Sequence, residues 1–292
     1  MSTEIPATLN VNDVTSWSDD VDVVVIGFGI GGGCAAVSAA AAGARVLVLE
    51  RAAAAGGTTA MAGGHFYLGG GTAVQEATGH PDSAEEMYKY LVAVSREPDH
   101  EKIRAYSDGS VEHFNWLEDL GFQFERSFYP GKVVVPPGTE GLSYTGNEKV
   151  WPFCEQAVPS PRGHSVPVPG ELGGASMVID LLVKRADDLG VQFRYETGAT
   201  NLILDGDGAV VGVAWKHFTE TGAVKANTTQ VLMIRILRRA HAAGEKPHLA
   251  FVFVYFLDLA HYSRLGCDQR FHRARGNVME IQPAPAVALA HP

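Results

Sequence analysis

The chain has 292 residues, 46% of them hydrophobic, which is enough for one large or two moderate domains and too apolar for a disordered protein. A formal net charge of −10 would repel a phosphate backbone and speaks against nucleic acid as a partner. Three cysteines, Cys34, Cys154 and Cys267, stand singly without disulfide or metal spacing, so no metal is expected and a reducing cytoplasm is the expected compartment.

Residues 1–20 are polar and acidic, lack a basic stretch followed by an apolar one, and read as a flexible arm rather than a secretory signal. Val21–Ile26 is short and β-branched, as a buried parallel strand requires. Gly27-Phe28-Gly29-Ile30-Gly31-Gly32 then fits a G-x-G-x-x-G turn opening a helix. Gly27 allows the tight turn, Gly29 admits a pyrophosphate against bare backbone, and Gly32 lets helix pack on strand. The backbone of Ile30, Gly31 and Gly32 and the positive end of the helix dipole then face the anion. The helix from Gly32 to Ala42 lays Ala35, Ala36, Ala39 and Ala40 on the sheet and ends at Gly43. A second strand, Arg45–Leu49, delivers Glu50, 23 residues after Gly27, where a carboxylate accepts hydrogen bonds from ribose hydroxyls. These residues predict a dinucleotide site; the alternative is a glycine-rich turn that binds nothing.

After Glu50 and Arg51 comes a second glycine-rich segment, Gly57-Thr58-Thr59-Ala60-Met61-Ala62-Gly63-Gly64. It resembles the segment after the second strand in FAD enzymes of the fumarate reductase and ketosteroid dehydrogenase superfamily. The resemblance implies FAD as cofactor, with Arg51 among its contacts and with backbone amides and threonine hydroxyls of Gly57–Gly64 running past the pyrophosphate and ribityl chain to the flavin ring. Non-covalent binding is expected. Succinate dehydrogenase-type relatives attach flavin to a histidine directly before a Thr-x-Ala-x-x-Gly-Gly run, whereas here Gly57 precedes Thr58–Gly64 and His65 lies beyond it, as a loop residue.

The path continues through Gly69-Gly70-Gly71-Thr72. Ala62–Thr72, Gly109–Leu117 and Pro161-Arg162-Gly163-His164 together resemble the 3-ketosteroid Δ4-(5α)-dehydrogenase branch of that superfamily, across about Val21–Asn227. Ser83 reads as a helix N-cap with Glu86 completing a capping box, followed by an apolar stripe of Met87, Tyr90, Leu91 and Val94. A second helical region starts after Pro98-Asp99, breaks near Gly109, buries Val111, Phe114, Trp116 and Leu117, and closes at Gly121. Phe128–Gly170 holds eight of the fifteen prolines, which forbids long helices and central strands and predicts a long loop region. In the resembling enzymes this stretch lies beside flavin and substrate, which makes Tyr129, Tyr144, Arg162 and His164 candidates for substrate contact.

Met177–Leu189 reads as a helix ended by Gly190. Short apolar runs at 191–196, 200–204, 210–218 and 223–226, with turns at 205–208 and 220–222, form the pattern of a β-meander. The resemblance places Ala199, just past the third strand, where its backbone meets adenine. The expected fold is therefore α/β, a Rossmann-like FAD-binding βαβ sheet with an inserted β-meander and a Pro/Gly-rich loop region, spanning residues 21–227.

Residues 228–292 depart from this pattern. They carry net positive charge and five of the eleven histidines, and Arg238-Arg239 stands where the family has small residues. Val231–Leu237 imitates the family's closing strand without its sequel. The tail reads as frame-shifted, the fold as truncated before the family's cap, and the alternative is a divergent domain. The longest apolar run, Leu249–Leu257, is too short to span a bilayer. Functionally the chain reads as an FAD-dependent oxidoreductase acting on a carbon–carbon bond beside a carbonyl in a steroid-like small molecule, with a fumarate reductase-like flavoprotein as a further alternative. The competing reading is a catalytically inactive fragment, since the family's catalytic tyrosines and serine would lie in the C-terminal part. With an open sheet edge and the run Phe251–Phe256, which combines β-propensity with no charge and no proline, the chain is expected to fold poorly and not to turn over a ketosteroid.

Overall fold

The computed structural model describes residues 8–133, 136–169, 174–227 and the strand at 231–233. In chain order the elements are β1 (Leu9–Asn10), β2 (Asp19–Val21), β3 (Val23–Ile26), α1 (Ile30–Ala41), β4 (Val46–Leu49), β5 (His65–Tyr67), α2 (Ala73–Ala77), α3 (Ala84–Val94), α4 (His100–Asp108) and α5 (Ser110–Asp119). Then follow β6 (Phe128–Lys132), β7 (Leu142–Tyr144), α6 (Phe153–Gln156), β8 (Gly163–Ser165), α7 (Ser176–Asp188), β9 (Gln192–Arg194), β10 (Thr197–Leu204), β11 (Val210–His217), β12 (Glu220–Ala226) and β13 (Val231–Met233). The described residues form two compact units, one from those up to Gly57 together with those from Leu182 to Met233, the other from those within Thr58–Leu181.

The first unit holds a parallel sheet in the order β13-β3-β4-β9. All four residues of β4 are buried, as a strand covered on both faces demands. Behind it lies a five-stranded sheet, β1-β10-β11-β12-β2, whose centre is the antiparallel meander. Val21, Val24, Leu47, Leu49, Val213, Val224 and Ala226 form one buried cluster of the unit. Fully burying each valine or leucine contributes roughly 1.5–3 kcal/mol.

Four expectations change here. The apolar run Val21–Ile26 divides at Asp22: Val21 pairs with Ala226 in the meander sheet, and Val23 with Val46 in the parallel one. Asp22 fixes the crossing, because its carboxylate accepts from the Arg45 N–H at 2.8 Å. Residues 8–21 are not a free arm, since β1 lies parallel to β10 and β2 parallel to β12, so both edges of the meander are paired. The hairpin between β11 and β12 turns at Phe218-Thr219, with Phe218 at φ +48°, rather than at 220–222. Gly222 is spent inside β12, where a Cβ would lie 2.5 Å from the Trp215 ring. Finally, the edge beside β3 is paired: Val231–Met233 runs parallel to Val24–Ile26. Arg238-Arg239, Phe251–Phe256 and the rest of the tail, on which the frame-shift and aggregation readings depended, lie outside the described residues.

The second unit is built on the sheet β5-β8-β7-β6 with helices packed around it. Leu68, Met87, Phe114, Leu117 and Leu142 are among its fully buried side chains. Ser83 caps α3 by accepting from the Glu86 N–H, but the Glu86 carboxylate accepts from Lys89 and the Val158 N–H, so that capping box is half formed. A complete box stands at Thr72 and Gln75, at the start of α2. The break at Gly109 and the stop at Gly121, φ +100°, are as expected, whereas Val111 and Trp116 are only half-buried. The proline-rich stretch is not a single loop. Pro130 sits in β6, at the sheet edge where its missing N–H costs no ladder bond, and the inner strands β7 and β8, three residues each, fall in stretches free of proline. Among the described residues no helix is long and apolar enough to cross a membrane.

Candidate functional site

Of the predicted site residues, Gly27, Gly29, Ile30, Gly31, Gly32, Glu50, Arg51, Gly57 and Ala199 belong to the first unit, and Thr58, Thr59, Ala60, Met61, Ala62, Gly63 and Gly64 to the second. In the first unit the chain leaves β3 at Gly27, whose φ of +88° would strain any side chain. The Gly27 N–H donates to the Leu49 carbonyl at 2.8 Å, tying the turn to the end of β4. Gly29 is the N-cap of α1, and no side chain caps the helix. The helix dipole makes that end attractive to an anion. Gly32 is the tightest position: a Cβ there would stand 1.9 Å from the Gly27 carbonyl oxygen. Only a glycine lets α1 start this close to the strand.

Glu50 is 8% exposed. Its Oε2 accepts from the Phe28 N–H at 2.7 Å and its Oε1 from the Ala52 N–H at 2.8 Å. The carboxylate thus binds the glycine turn to the loop after β4, a role the sequence reading did not foresee. Each oxygen keeps a further lone pair for a hydroxyl donor. Uncapped helix start, bare turn and partly unspent carboxylate fit a dinucleotide. Arg51 is exposed, and Gly57 takes φ +50°. Ala199 does lie past β9, but inside β10, opposite Trp215 at a pairing irregularity.

In the second unit Thr58 precedes a short 3₁₀ turn, Thr59–Met61, with Met61 72% exposed. Ala62, Gly63 and Gly64 then run as closely packed backbone. A Cβ on Gly64 would lie 2.6 Å from Val166, and one on Gly174 would lie 2.4 Å from the Gly63 carbonyl oxygen. The Ala62 carbonyl accepts from Ala175 and the Gly64 carbonyl from Val166, at 3.1 and 3.0 Å. His65 is a strand residue of β5 rather than a loop residue, with Nδ1 2.9 Å from Ser165 Oγ.

Gly69–Thr72 does not continue the cradle. Its amides donate to side chains of the same unit: Gly69 to Ser110 at 2.8 Å, Gly70 to Asp82 at 3.0 Å, and Gly71 and Thr72 to Gln75, both at 3.0 Å. Arg162 and His164, read as candidates for substrate contact, have no exposed surface. Arg162 grips Asp82 with two bonds, Nε to Oδ2 and Nη2 to Oδ1, each 2.7 Å. His164 lies 3.1 Å from the Arg162 carbonyl and 2.8 Å from Thr72 Oγ1. A carbonyl only accepts, so Nδ1 carries the proton and Nε2 accepts from the threonine hydroxyl. Tyr144 is 7% exposed on β7, and Tyr129 is half-buried.

Burial lowers the His164 imidazole to about 3, and lowers His65 and His113 to about 4. In the unfolded chain these groups titrate near the ordinary value of about 6.5. Below that pH the unfolded state takes up protons that the folded state refuses, so stability is full above about 6.5 and falls with acid, by up to about 1.4 kcal/mol per pH unit for each group. The urea midpoint should drop between pH 7 and 5, less steeply in His164→Gln. A flat midpoint would contradict the neutral, buried assignment.

Residues 22–250 match the family described as FAD binding domain. A 3-oxo-5-alpha-steroid 4-dehydrogenase of Comamonas testosteroni is 35% identical over 208 residues, 69% of this chain and 38% of that protein. The crystal structure of 3-ketosteroid-Δ4-(5α)-dehydrogenase from Rhodococcus jostii RHA1, in complex with 4-androstene-3,17-dione, superposes with a TM-score of 0.72 at 45% identity, over 76% of this chain and 47% of that one. A flavocytochrome c3 fumarate reductase shares the fold, with TM-score 0.56 and 24% identity over 72% of this chain and 33% of that one. The chain spans less than half the length of these relatives. With its glycine turn closed on Glu50 and most of its length matched, the chain belongs to the FAD binding domain family.

Proposed function

We propose that this chain holds FAD non-covalently for an oxidoreductase of the ketosteroid dehydrogenase type, which dehydrogenates a carbon–carbon bond beside a carbonyl in a 3-ketosteroid. The observation that carries the reading is the Gly27–Gly32 turn, closed on the Glu50 carboxylate, in a chain 45% identical to a dehydrogenase whose structure contains a steroid. In this reading the first turn of α1, Ile30 to Gly32, faces the pyrophosphate, Glu50 takes ribose hydroxyls, and Arg51 flanks them. Gly57 and the Thr58–Gly64 backbone lie along the flavin side, and the Ala199 backbone meets the adenine. FAD, when bound, supplies the acceptor for a hydride. The proton that leaves with it is assigned to no described residue.

Gly29→Val puts a branched side chain where the pyrophosphate runs, and the purified variant should lose its flavin. Full FAD occupancy in that variant would refute the assignment. Acid precipitation of the loaded protein should leave the yellow colour in the supernatant; a yellow pellet would mean covalent attachment. Anaerobic addition of a saturated 3-ketosteroid should bleach the flavin bands, and bands that persist with FAD still bound would remove the steroid from this reading.

A further inference from the structure

Beside Glu50 the first unit carries three aromatic rings in a column. Phe28, inside the glycine turn, has no exposed surface and meets Phe193 edge-on, with centroids 4.9 Å apart and planes at 62°. Phe193 in turn stacks on Tyr195, at 5.5 Å and 10°. Phe193 and Tyr195 are half-buried, so the column runs from the turn outward and Tyr195 is its outer ring.

Tyr195 directly follows β9, at the carboxyl edge of the parallel sheet, where open α/β sheets take their ligands. Its backbone is pinned to the Glu50 loop from both sides. The Glu50 N–H donates to the Arg194 carbonyl, the Thr197 N–H to the Glu50 carbonyl and the Glu196 N–H to the Ala52 carbonyl, each at 2.9 Å. The neighbouring Glu196 takes φ +52°, a left-handed conformation that non-glycine residues hold where their surroundings force it, often at ligand sites. A constrained turn, an aromatic column and the Glu50 carboxylate therefore meet at one sheet edge.

We propose that Tyr195 is the platform on which the adenine of the dinucleotide stacks, an inference that rests on the FAD reading. Glu50 would fix the ribose, and the base is joined to that ribose by a single bond. A ring already held on its inner side by Phe193 offers its outer face with little rotamer freedom left to lose. Phe193 and Phe28 act as supports of that ring and do not touch the base.

The test is equilibrium titration of the full-length apo chain with FAD and with ADP, which carries the adenosine without the flavin. Tyr195→Leu keeps apolar volume and removes the aromatic face, and should raise Kd for both ligands about tenfold. Tyr195→Phe keeps the face and should bind both within about twofold of the unaltered chain. ADP should also produce a tyrosine difference spectrum that disappears in Tyr195→Phe, a readout that does not need the leucine variant to fold. Unweakened binding by Tyr195→Leu, or an unchanged difference spectrum in Tyr195→Phe, would overturn the inference. If Gly29→Val still loses FAD in that case, the cofactor reading survives. If the unaltered chain binds no ADP and Gly29→Val leaves FAD binding intact, both fall.

Discussion

Replacing Gly32 by alanine should destabilise the first unit by about 3 kcal/mol or more and abolish FAD binding, an effect at or above the upper end for one added methyl group. The added Cβ would stand 1.9 Å from the Gly27 carbonyl oxygen, a backbone atom that cannot swing aside like a side chain. Gly27 is itself tied to Leu49 through its N–H, so the strand end and the helix start would have to separate. The Phe28 N–H would then leave Glu50 Oε2, and the anion-facing turn and the ribose carboxylate would come apart together. Gly206→Ala is the matched control, because nothing stands within 4 Å of a Cβ there. Urea midpoints for the two variants should differ several-fold in the shift from the unaltered protein. Similar midpoints, with FAD retained in Gly32→Ala, would mean that the turn is looser than described.

Cutting the buried ion pair of the second unit should cost about as much. Arg162→Met would leave the Asp82 carboxylate in a site where the side chains of both partners are 0% and 1% exposed, and stranding a buried charge typically costs about 3–5 kcal/mol. Asp82 also accepts from the Gly70 N–H and from Gln75 Nε2, so displacing that carboxylate would pull on the Gly69–Thr72 turn. The double variant Arg162→Met, Asp82→Leu removes both charges and should recover part of the loss. A double variant less stable than Arg162→Met alone would show that the charge is not what the site loses.

The two halves of the chain differed in how far their sequence could be read, for physical reasons. At Gly27–Glu50 the backbone sets the residue type: a positive φ at Gly27 and a carbonyl against Gly32 exclude side chains, so the glycine spacing reports the turn directly. The residues of β1 and β2 carry no such signature. Two- and three-residue strands are too short for periodicity, and their partners, Ile203–Leu204 and Val224–Ala226, stand about two hundred positions away. Arg162 and His164 look like surface groups of a proline-rich loop because their burial depends on Asp82, on Thr72 and on the pairing of β8 with β5 and β7, none of which a local stretch of sequence reveals. The hairpin was misplaced because Gly222 looks like a turn residue, whereas it is small to make room for Trp215. Tyr195 carries no signal of its own in the sequence, since an aromatic inside the short apolar run 191–196 reads as core until the neighbouring Glu50 loop is known.

The central claim is that the Gly27–Gly32 turn and Glu50 form a working FAD site. Titrating the purified apo chain with FAD, and following the flavin absorption bands and fluorescence, tests it most directly. One FAD per chain should bind, with quenched emission and a shifted flavin spectrum, and Gly29→Val should show neither change. A flavin spectrum that stays that of free FAD at every protein concentration, in a chain whose circular dichroism shows it folded, would contradict the claim.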